Sequence, residues 1–358
     1  MGQRILVTGG AGFIGSNLVH YLLSDAASEL PVEVERVVTY DKLTYAGNPE
    51  NLASIRNDER HRFVEGDICN LNLFSKILEE ESIDSVMHLA AESHVDRSIE
   101  SSAAFIETNF VGTHSILEAS RTRWEALGRG ESFRFLHVST DEVYGSLTMD
   151  DPAFSETTAY APNSPYSASK AASNHLARAW FHTYGMPVVT TNCSNNYGPY
   201  QFPEKLIPSM VSKVRKGERL PVYGDGSNIR DWLYVEDHCR ALAVALLKGT
   251  PGEVYNVGGN CEIRNLDVVH AIIRTVSELD PNIGELNPDD CIAFVTDRPG
   301  HDWRYAIDSS KIQNDLGWEP RESFNSGIRK TVQWYFDNEE WGESIEDGTY
   351  QGKRLGLT

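Results

Sequence analysis

The feature that most constrains this chain is a glycine-rich turn between its first apolar strand and its first helical pattern. A strand is predicted at residues 4–8, and Gly9, Gly12 and Gly15 follow it in the spacing G-x-x-G-x-x-G. The first two glycines allow a tight turn and a close backbone approach to a pyrophosphate, and the third lets helix and strand pack closely. The N-terminus of the following helix attracts phosphates. The pattern therefore predicts a dinucleotide site in an α/β fold.

A carboxylate after the second predicted strand indicates which dinucleotide binds. The strand covers residues 35–40 and ends at Asp41, later than the usual spacing of about 20 residues after the last glycine. We expect residues 24–33 to form a longer loop that accounts for the excess. A carboxylate here accepts hydrogen bonds from the adenosine ribose and repels a 2′-phosphate, so NAD is favoured over NADP.

The alternation of strands and helices continues to residue 193 and then stops. Further strands are predicted at 62–65, 85–91, 133–138 and 187–193. After them, loops rich in Gly, Pro and Asn alternate with short elements. We predict an α/β, Rossmann-type, doubly wound parallel sheet with a smaller C-terminal substrate-binding lobe. Residues 1–193 would be the NAD-binding domain with the catalytic groups, and residues 194–358 mainly the lobe, partly interleaved with it.

Tyr166 and Lys170 lie four residues apart in a segment that reads as a helix, so both face the same side. A free phenol, with a pKa of about 10, is a poor base near neutrality. A nearby ammonium is expected to lower that pKa, so the tyrosine can take a proton from a sugar hydroxyl while hydride leaves the same carbon. The lysine can also hydrogen-bond the nicotinamide ribose.

Two adjacent carboxyl groups, Asp141 and Glu142, follow Thr140 at the end of the fifth predicted strand. Open α/β sheets bind their ligands at this edge. A plain alcohol dehydrogenase needs only Ser or Thr with Tyr and Lys. Elimination of water beside a ketone also needs a base for the α proton and an acid for the leaving hydroxyl. The pair therefore favours a dehydratase over a solvated acidic turn.

Composition excludes several kinds of partner. The net charge of −20 argues against nucleic acid and anionic membranes. No segment approaches the roughly 18 apolar residues of a membrane span, and a strand that begins at once leaves no room for a signal peptide. Five scattered cysteines without metal-ligand spacing indicate free thiols in the cytoplasm. His88 and His94 lack partners at suitable spacing, so we expect no metal.

The C-terminal half carries candidate contacts for an anionic substrate with a nucleobase. Arg230 and Arg298 could bind a diphosphate bidentately, although each alone is more often part of a surface ion pair. Tyr223 could offer an aromatic face to a base. In the other half, the predicted helix at 103–127 and the Tyr166 helix could pair across a two-fold axis as a four-helix bundle, which indicates a homodimer.

These motifs resemble the extended short-chain dehydrogenase/reductase family, and within it the dTDP-glucose 4,6-dehydratases. The resemblance covers nearly the whole chain, in the runs 8–16, 41–48, 90–98, 139–145, 166–170, 192–208, 220–237 and 297–308. It implies oxidation at C4, elimination of water across C5 and C6, and hydride return to C6. Glu142 would be the base, Asp141 the acid, and Tyr166 with Lys170 and Thr140 the hydride-step residues. The 4-keto-6-deoxy product would feed deoxysugar and rhamnose pathways.

The resemblance also implies binding residues by matching position. The cofactor contacts would be Gly9, Gly12, Phe13, Ile14, Gly15, Asp41, Lys42, Leu43, Thr44, Asp67, Ile68, Leu89, Ala90, Ala91, Ser93, Thr108, Tyr166, Lys170 and Asn196. The substrate contacts would be Ser93, Thr140, Asn195, Lys205, Leu206, Pro221, Val222, Tyr223, Arg230, Asn265, Asp297, Arg298, His301 and Tyr305. Gln201 departs from the pattern where His is frequent, and Trp303 where a basic residue is frequent.

Three alternatives stay open at this point. One is a related nucleotide-sugar enzyme, such as a UDP-glucose 4-epimerase, which has no use for Asp141 and Glu142. A second is a 4,6-dehydratase acting on another nucleotide, because thymine and uracil differ by one methyl group, worth only about 1–3 kcal/mol. The third is a non-catalytic NAD-sensing protein, which would not need the catalytic residues.

Overall fold

A computed structural model describes residues 2–130, 132–297 and 301–348. Its centre is a parallel sheet of seven strands in the order β3-β2-β1-β4-β5-β6-β10. Smaller sheets contain β11-β9-β7 and β12-β8. The strands are β1 (Gln3–Thr8), β2 (Val34–Asp41), β3 (His61–Glu65), β4 (Ser85–His88), β5 (Arg134–Thr140), β6 (Val188–Cys193), β7 (Asn195–Tyr197), β8 (Leu220–Tyr223), β9 (Ile229–Tyr234), β10 (Val254–Val257), β11 (Glu262–Arg264) and β12 (Ile292–Val295).

Helices cover both faces of the large sheet. The α-helices are α1 (Phe13–Leu23), α2 (Leu71–Glu80), α3 (Val95–Glu100), α4 (Ala103–Phe105), α5 (Thr113–Ala126), α6 (Pro165–Tyr184), α7 (Leu206–Arg215), α8 (Val235–Lys248), α9 (Asn265–Leu279), α10 (Pro288–Cys291), α11 (Ser310–Leu316), α12 (Phe324–Asp337) and α13 (Glu339–Gly348). A π-helix at Ile106–Gly112 joins α4 to α5, and 3₁₀ turns lie at Asp25–Glu29, Pro49–Ile55 and Asp141–Tyr144. No helix in the described ranges is long and apolar enough to cross a bilayer.

Successive residues of each central strand enter opposite hydrophobic cores, as the two-residue period of a strand requires. Ile5 and Val7 of β1 pack with α1, α8 and α11 on one face. Leu6, between them, packs with α2, α5 and α6 on the other. All three side chains are at most 1% exposed. The predicted doubly wound sheet is confirmed, and the order reverses between β1 and β4, where such sheets bind ligands.

Most predicted element bounds agree with the structure to within two residues, and three elements differ by more than that or in type. The strand predicted at 85–91 ends at His88. The amide of Leu89 still bonds the carbonyl of Thr8 on β1, but the amide of Ala90 bonds the side-chain hydroxyl of Thr8. The loop predicted at 24–33 contains a 3₁₀ turn. The helix predicted at 103–127 is a continuous helical run that passes through the π-helix.

The C-terminal half has its own hydrophobic core but also contributes a strand to the large sheet. A third core gathers α7, α9 and α12 around β8 and β9. However, β10 follows β9 along the chain and pairs with β6, at the edge of the large sheet. Strand β10 therefore joins the two halves of the chain in one sheet. The domain boundary at residue 193 stays a prediction.

Candidate functional site

The glycine-rich turn forms a cradle between β1 and α1. Gly9 has a φ of 71°, a left-handed conformation that favours glycine. A Cβ on Gly15 would lie 2.1 Å from the carbonyl oxygen of Gly9, so helix and turn could not pack. A Cβ on Gly12 would meet only that oxygen, at 3.4 Å. Gly12 therefore leaves room for a ligand at the N-terminus of α1, as a pyrophosphate requires.

Substitution by alanine is expected to have different effects at Gly15 and at Gly12. Gly15→Ala should destabilise the fold by about 3 kcal/mol, the upper end of the usual overpacking range, because the backbone must move to accommodate the methyl group. Gly12→Ala should leave the melting temperature nearly unchanged and weaken NADH binding about tenfold, because its methyl group occupies ligand space. Thermal unfolding and NADH fluorescence measure the two effects. Equal melting temperatures for both variants would contradict this account.

Asp41 lies at the end of β2, beside the cradle. Its carboxylate accepts hydrogen bonds from the amides of Ala11, at 2.9 Å, and Leu43, at 2.8 Å. Burial raises its pKa, and the hydrogen bonds from the backbone oppose that shift. Nearby, the Lys42 ammonium lies 2.6 Å from the Asp67 carboxylate. These groups fit the adenosine end of a dinucleotide, where hydroxyl and amino groups need acceptors.

The three residues after β5 form a compact turn. The hydroxyl of Thr140 donates to Asp141 at 3.4 Å and accepts from the amide of Glu142 at 3.3 Å. The hydroxyl of Ser167, on α6, donates to Oε2 of Glu142 at 3.0 Å. One strand end and one helix N-terminus therefore hold the two carboxyl groups in different surroundings.

Asp141 is suited to hold a proton. Its side chain is buried, and its Oδ2 atom has no hydrogen-bond partner within the described ranges. Burial raises the pKa of this carboxyl well above its usual value, and the charges of Glu142 and Asp231 raise it further. A carboxyl group that keeps its proton near neutral pH can act as a general acid.

Asp141→Asn should stabilise the protein while it slows turnover. Because the folded-state pKa is raised, the folded protein keeps a proton that the unfolded chain releases above about pH 4, and stability falls as pH rises through that window. The gain in melting temperature from Asn should therefore be larger at about pH 8 than at about pH 5. Asp150→Asn, at an exposed position, is the control and should show no such difference. A loss of stability at pH 8 would contradict the assignment.

Tyr166 and Lys170 lie on α6, beside this turn, and both are buried. The Lys170 ammonium donates to the carbonyl of Val138 at 2.9 Å, and burial lowers its pKa to about 8. The pKa of Tyr166 is raised well above 10 by burial and by the charge of Glu142, while a hydrogen bond with Thr140 lowers it. The pKa of the phenol therefore shifts in the direction opposite to the predicted lowering, because burial and the charge of Glu142 raise it.

One cavity of about 330 Å³ brings most of the predicted residues together. Its walls include Gly9, Gly12, Phe13, Ile14, Gly15, Asp41, Lys42, Thr44, Asp67, Ile68, Leu89, Ala90, Ala91, Ser93, Thr108, Thr140, Asp141, Glu142, Tyr166, Lys170, Asn195, Asn196 and Lys205. Outside its walls lie Leu43, Leu206, Pro221, Val222, Tyr223, Arg230, Asn265, Asp297, His301 and Tyr305. Arg298 lies outside the described residues.

Several of the residues outside the cavity form a second group beside it. The guanidinium of Arg230 lies 4.3 Å from the ring centre of Tyr305 and donates to the carbonyl of Asp302 at 2.9 Å. Arg230 lowers the pKa of Asp141, and Glu142 raises the pKa of Tyr305. Because these influences require proximity, the group adjoins the catalytic carboxyls.

The rings of Tyr223 and His301 lie farther along the same lobe, with their centres 6.1 Å apart. His301 also contacts the Asp297 carboxylate at 2.7 Å. Tyr223 and His301 therefore contact each other in this lobe, as two of the predicted substrate residues.

Sequence reasoning missed a cluster at the cavity wall. The Arg97 guanidinium lies 3.8 Å from the ring centre of Tyr45 and 3.3 Å from the carboxylate of Glu204, whose side chain is 3% exposed. Gln201, noted only as a departure, also lines the cavity. No local spacing links residues so far apart in the chain. The sequence pointed to them only through the family resemblance, whose matching segments include them.

The cavity fits a dinucleotide and offers no metal centre. The open face of Gly12, the N-terminus of α1 and the Asp41 carboxylate would hold the cofactor's phosphates and ribose. Across residues 2–130, 132–297 and 301–348, no three His, Cys, Asp or Glu side chains are grouped to hold a metal ion.

Comparison with known proteins shows the family to which the chain belongs. The family model described as GDP-mannose 4,6 dehydratase matches residues 6–331. The dTDP-glucose 4,6-dehydratase of Escherichia coli is 54% identical, over 99% of each chain. That of Xanthomonas campestris pv. campestris (strain B100) is 56% identical, also over 99% of each chain. The crystal structure of the Streptomyces venezuelae enzyme of that name, with NAD bound, has a TM-score of 0.87 at 44% identity and covers 96% of this chain and 100% of its own.

The chain belongs to the GDP-mannose 4,6 dehydratase family, whose model spans most of its length. The resemblance drawn from the motifs is therefore confirmed. Within that family, the relatives matched over nearly their whole length are named dTDP-glucose 4,6-dehydratase.

Proposed function

We propose that this chain is an NAD-dependent hydro-lyase that converts dTDP-glucose to dTDP-4-keto-6-deoxyglucose and water. The observation that carries the proposal is the pairing of Asp141 and Glu142 beside Tyr166 and Lys170 in the cavity that the glycine-rich turn also lines. The names of relatives with more than half of their residues identical support the substrate.

Tyr166 is the residue that accepts the proton of the C4 hydroxyl, and Thr140 orients it. When bound, the cofactor would supply a hydride acceptor for C4 in its oxidised form, a hydride donor for C6 in its reduced form, and a positive charge that favours the phenolate. Lys170, held at the carbonyl of Val138, keeps a further donor close to the ribose position. Without the cofactor's positive charge, the site raises the pKa of the Tyr166 phenol. The phenol therefore becomes an effective base only after the dinucleotide has bound.

The ketone at C4 makes the proton on C5 acidic. Glu142, oriented by Ser167, takes that proton, and Asp141 gives its own proton to the departing C6 hydroxyl, which leaves as water. Once C6 is reduced, Glu142 returns its proton to C5. The proton that Tyr166 took from the C4 hydroxyl balances the one that Asp141 gave to the departing water. The two carboxyls divide the roles of base and acid because their environments differ.

The roles of Asp141 and Glu142 distinguish a dehydratase from an epimerase. An epimerase oxidises and reduces C4 alone, so it gains nothing from a protonated Asp141. The family model and the relatives' names favour dehydration. Preference for thymine over uracil rests on those names, since one methyl group carries little discrimination.

The test is to incubate the purified protein with dTDP-glucose in deuterated water without added cofactor. The expected product is a 4-keto-6-deoxy sugar that carries deuterium at C5, formed by a retained cofactor. Interconversion of UDP-glucose and UDP-galactose instead would make the protein an epimerase. Bound NAD without turnover of either substrate would favour another sugar nucleotide or the NAD-sensing alternative.

We also propose that two copies pair through the helical run at 103–127 and α6. The support is an apolar group on the π-helix: Ile106, Phe110 and Val111 are 49%, 36% and 46% exposed. Large apolar side chains grouped on one helix are typical of a surface that another chain covers. A cytoplasmic location is proposed as well, because all five cysteines are free thiols.

Phe110→Glu should convert the dimer to a monomer, because it places a charge within the proposed interface. Light scattering after gel filtration gives the mass. Phe294→Glu is the matched control, since Phe294 is 60% exposed on β12, far from this run in the chain. The proposal is wrong if the wild-type protein is monomeric or if Phe110→Glu stays dimeric.

A further inference from the structure

We propose that His238 is a positioning residue, which fixes the side-chain amide of Asn196 at the wall of the dinucleotide cavity. His238 lies in the first turns of α8 and is fully buried, whereas Asn196 lies on β7 and lines the cavity. The inference rests on the proposed NAD site, and it concerns a histidine that neither the motifs nor the mechanism uses.

The hydrogen bonds define which way the amide of Asn196 faces. Its Nδ2 donates to the carbonyl of Ser194 at 2.9 Å, and a carbonyl can only accept. Its Oδ1 must therefore face His238, whose Nδ1 lies 2.9 Å away. Because an amide oxygen only accepts, the hydrogen between these atoms belongs to Nδ1 of the histidine. The arrangement requires the Nδ1–H tautomer.

The rest of the imidazole agrees with this assignment. Nε2 is buried and has no hydrogen-bond partner in the described part of the chain. Burial lowers the pKa of His238 to about 3, so the ring is neutral and carries one hydrogen. That hydrogen is the one that Nδ1 donates. A ring buried only to fill space would gain nothing from a polar nitrogen, and an apolar side chain would serve better.

Asn196 is held at its backbone too. Nε2 of Gln201 donates to the carbonyl of Asn196 at 3.0 Å, and the hydroxyl of Tyr335 donates to the carbonyl of Gln201 at 2.8 Å. The second Nδ2 hydrogen of Asn196 is not used by Ser194. A fixed amide N–H at the cavity wall is suited to an oxygen acceptor of the bound dinucleotide, and its fixed direction reduces the entropy lost on binding.

Two amide substitutions separate positioning from space filling. The Nδ2 of an asparagine at position 238 would lie near the place of the imidazole Nδ1, whereas a glutamine amide would reach toward the place of Nε2. His238→Asn should keep the dissociation constant for NADH within about twofold of the wild type. His238→Gln should raise it about tenfold, the usual effect of losing one hydrogen bond. Fluorescence of bound NADH measures both constants.

A double-mutant cycle tests whether the effect passes through Asn196. In an Asn196→Ala background, His238→Gln should cause no further loss of NADH affinity. Equal affinities for the Asn and Gln variants, or a further loss in the Ala background, would overturn the proposal. The readout needs no sugar nucleotide, so failure of dTDP-glucose turnover in the wild type would count against the proposed function alone.

A measurement on the wild-type protein decides the matter if the variants do not fold. Nitrogen-15 NMR of labelled histidines distinguishes the two neutral tautomers at neutral pH. The expected spectrum shows His238 with a protonated Nδ1 and a bare Nε2. A protonated Nε2 would overturn the proposal, because the imidazole could not then donate to Asn196.

Discussion

Tyr166→Phe is expected to lower kcat by about 10³-fold, within the range for loss of a general base. The phenyl ring keeps the packing of α6 and removes the hydroxyl that we propose accepts the C4 proton. The hydride step should be blocked, so mixing the variant with dTDP-glucose should produce no NADH absorbance. The measurement is stopped-flow absorbance with product analysis.

Tyr160→Phe provides the comparison. Tyr160 accepts a hydrogen bond from Asn174 and does not line the cavity. Its loss should reduce kcat by no more than a few-fold. If Tyr166→Phe still oxidises C4 at the wild-type rate, another group is the base and the assignment of Tyr166 is wrong.

Glu142→Gln should stop the reaction one step later. The amide keeps the hydrogen bond with Ser167 possible but cannot take the C5 proton, so kcat should fall by about 10²- to 10⁴-fold. Oxidation at C4 remains possible, and NADH should therefore accumulate on the enzyme. Deuterium exchange at C5 should be lost at the same time.

Glu156→Gln is the matched carboxylate control. Glu156 is half-buried and accepts a hydrogen bond from the amide of Asn256, outside the cavity. It should affect stability more than chemistry. Normal turnover of Glu142→Gln would remove Glu142 from the role of base. Accumulated NADH in Glu142→Gln but not in Tyr166→Phe would establish the order of the two steps.

Much of the candidate site could be predicted from the local spacing of residues in the sequence. The strand, the three glycines and the following helix are consecutive in the chain, so their geometry follows from backbone preferences alone. Tyr166 and Lys170 share a helical face because they are one turn apart. Asp141 and Glu142 reach the ligand edge because β5 ends just before them.

Other parts of the site depended on residues that no local pattern connects. Tyr45, Arg97 and Glu204 meet only because two loops and helix α3 converge there. Asn196 and His238 likewise meet across two elements. The placement of β10 beside β6 ties the C-terminal half to the large sheet, which a strict division of the chain into halves does not anticipate.

The sequence by itself determined the fold class, the dinucleotide cradle and the identity of the acid, base and hydride-step candidates, because each depends on neighbours along the chain. Only the tertiary structure decided how these groups ionise. The pKa of Tyr166 rises although Lys170 is one turn away, and the pKa of Asp141 is also raised, chiefly by burial. The physical reason is that pKa depends on burial and on charges brought from distant segments, and neither quantity is encoded in local spacing.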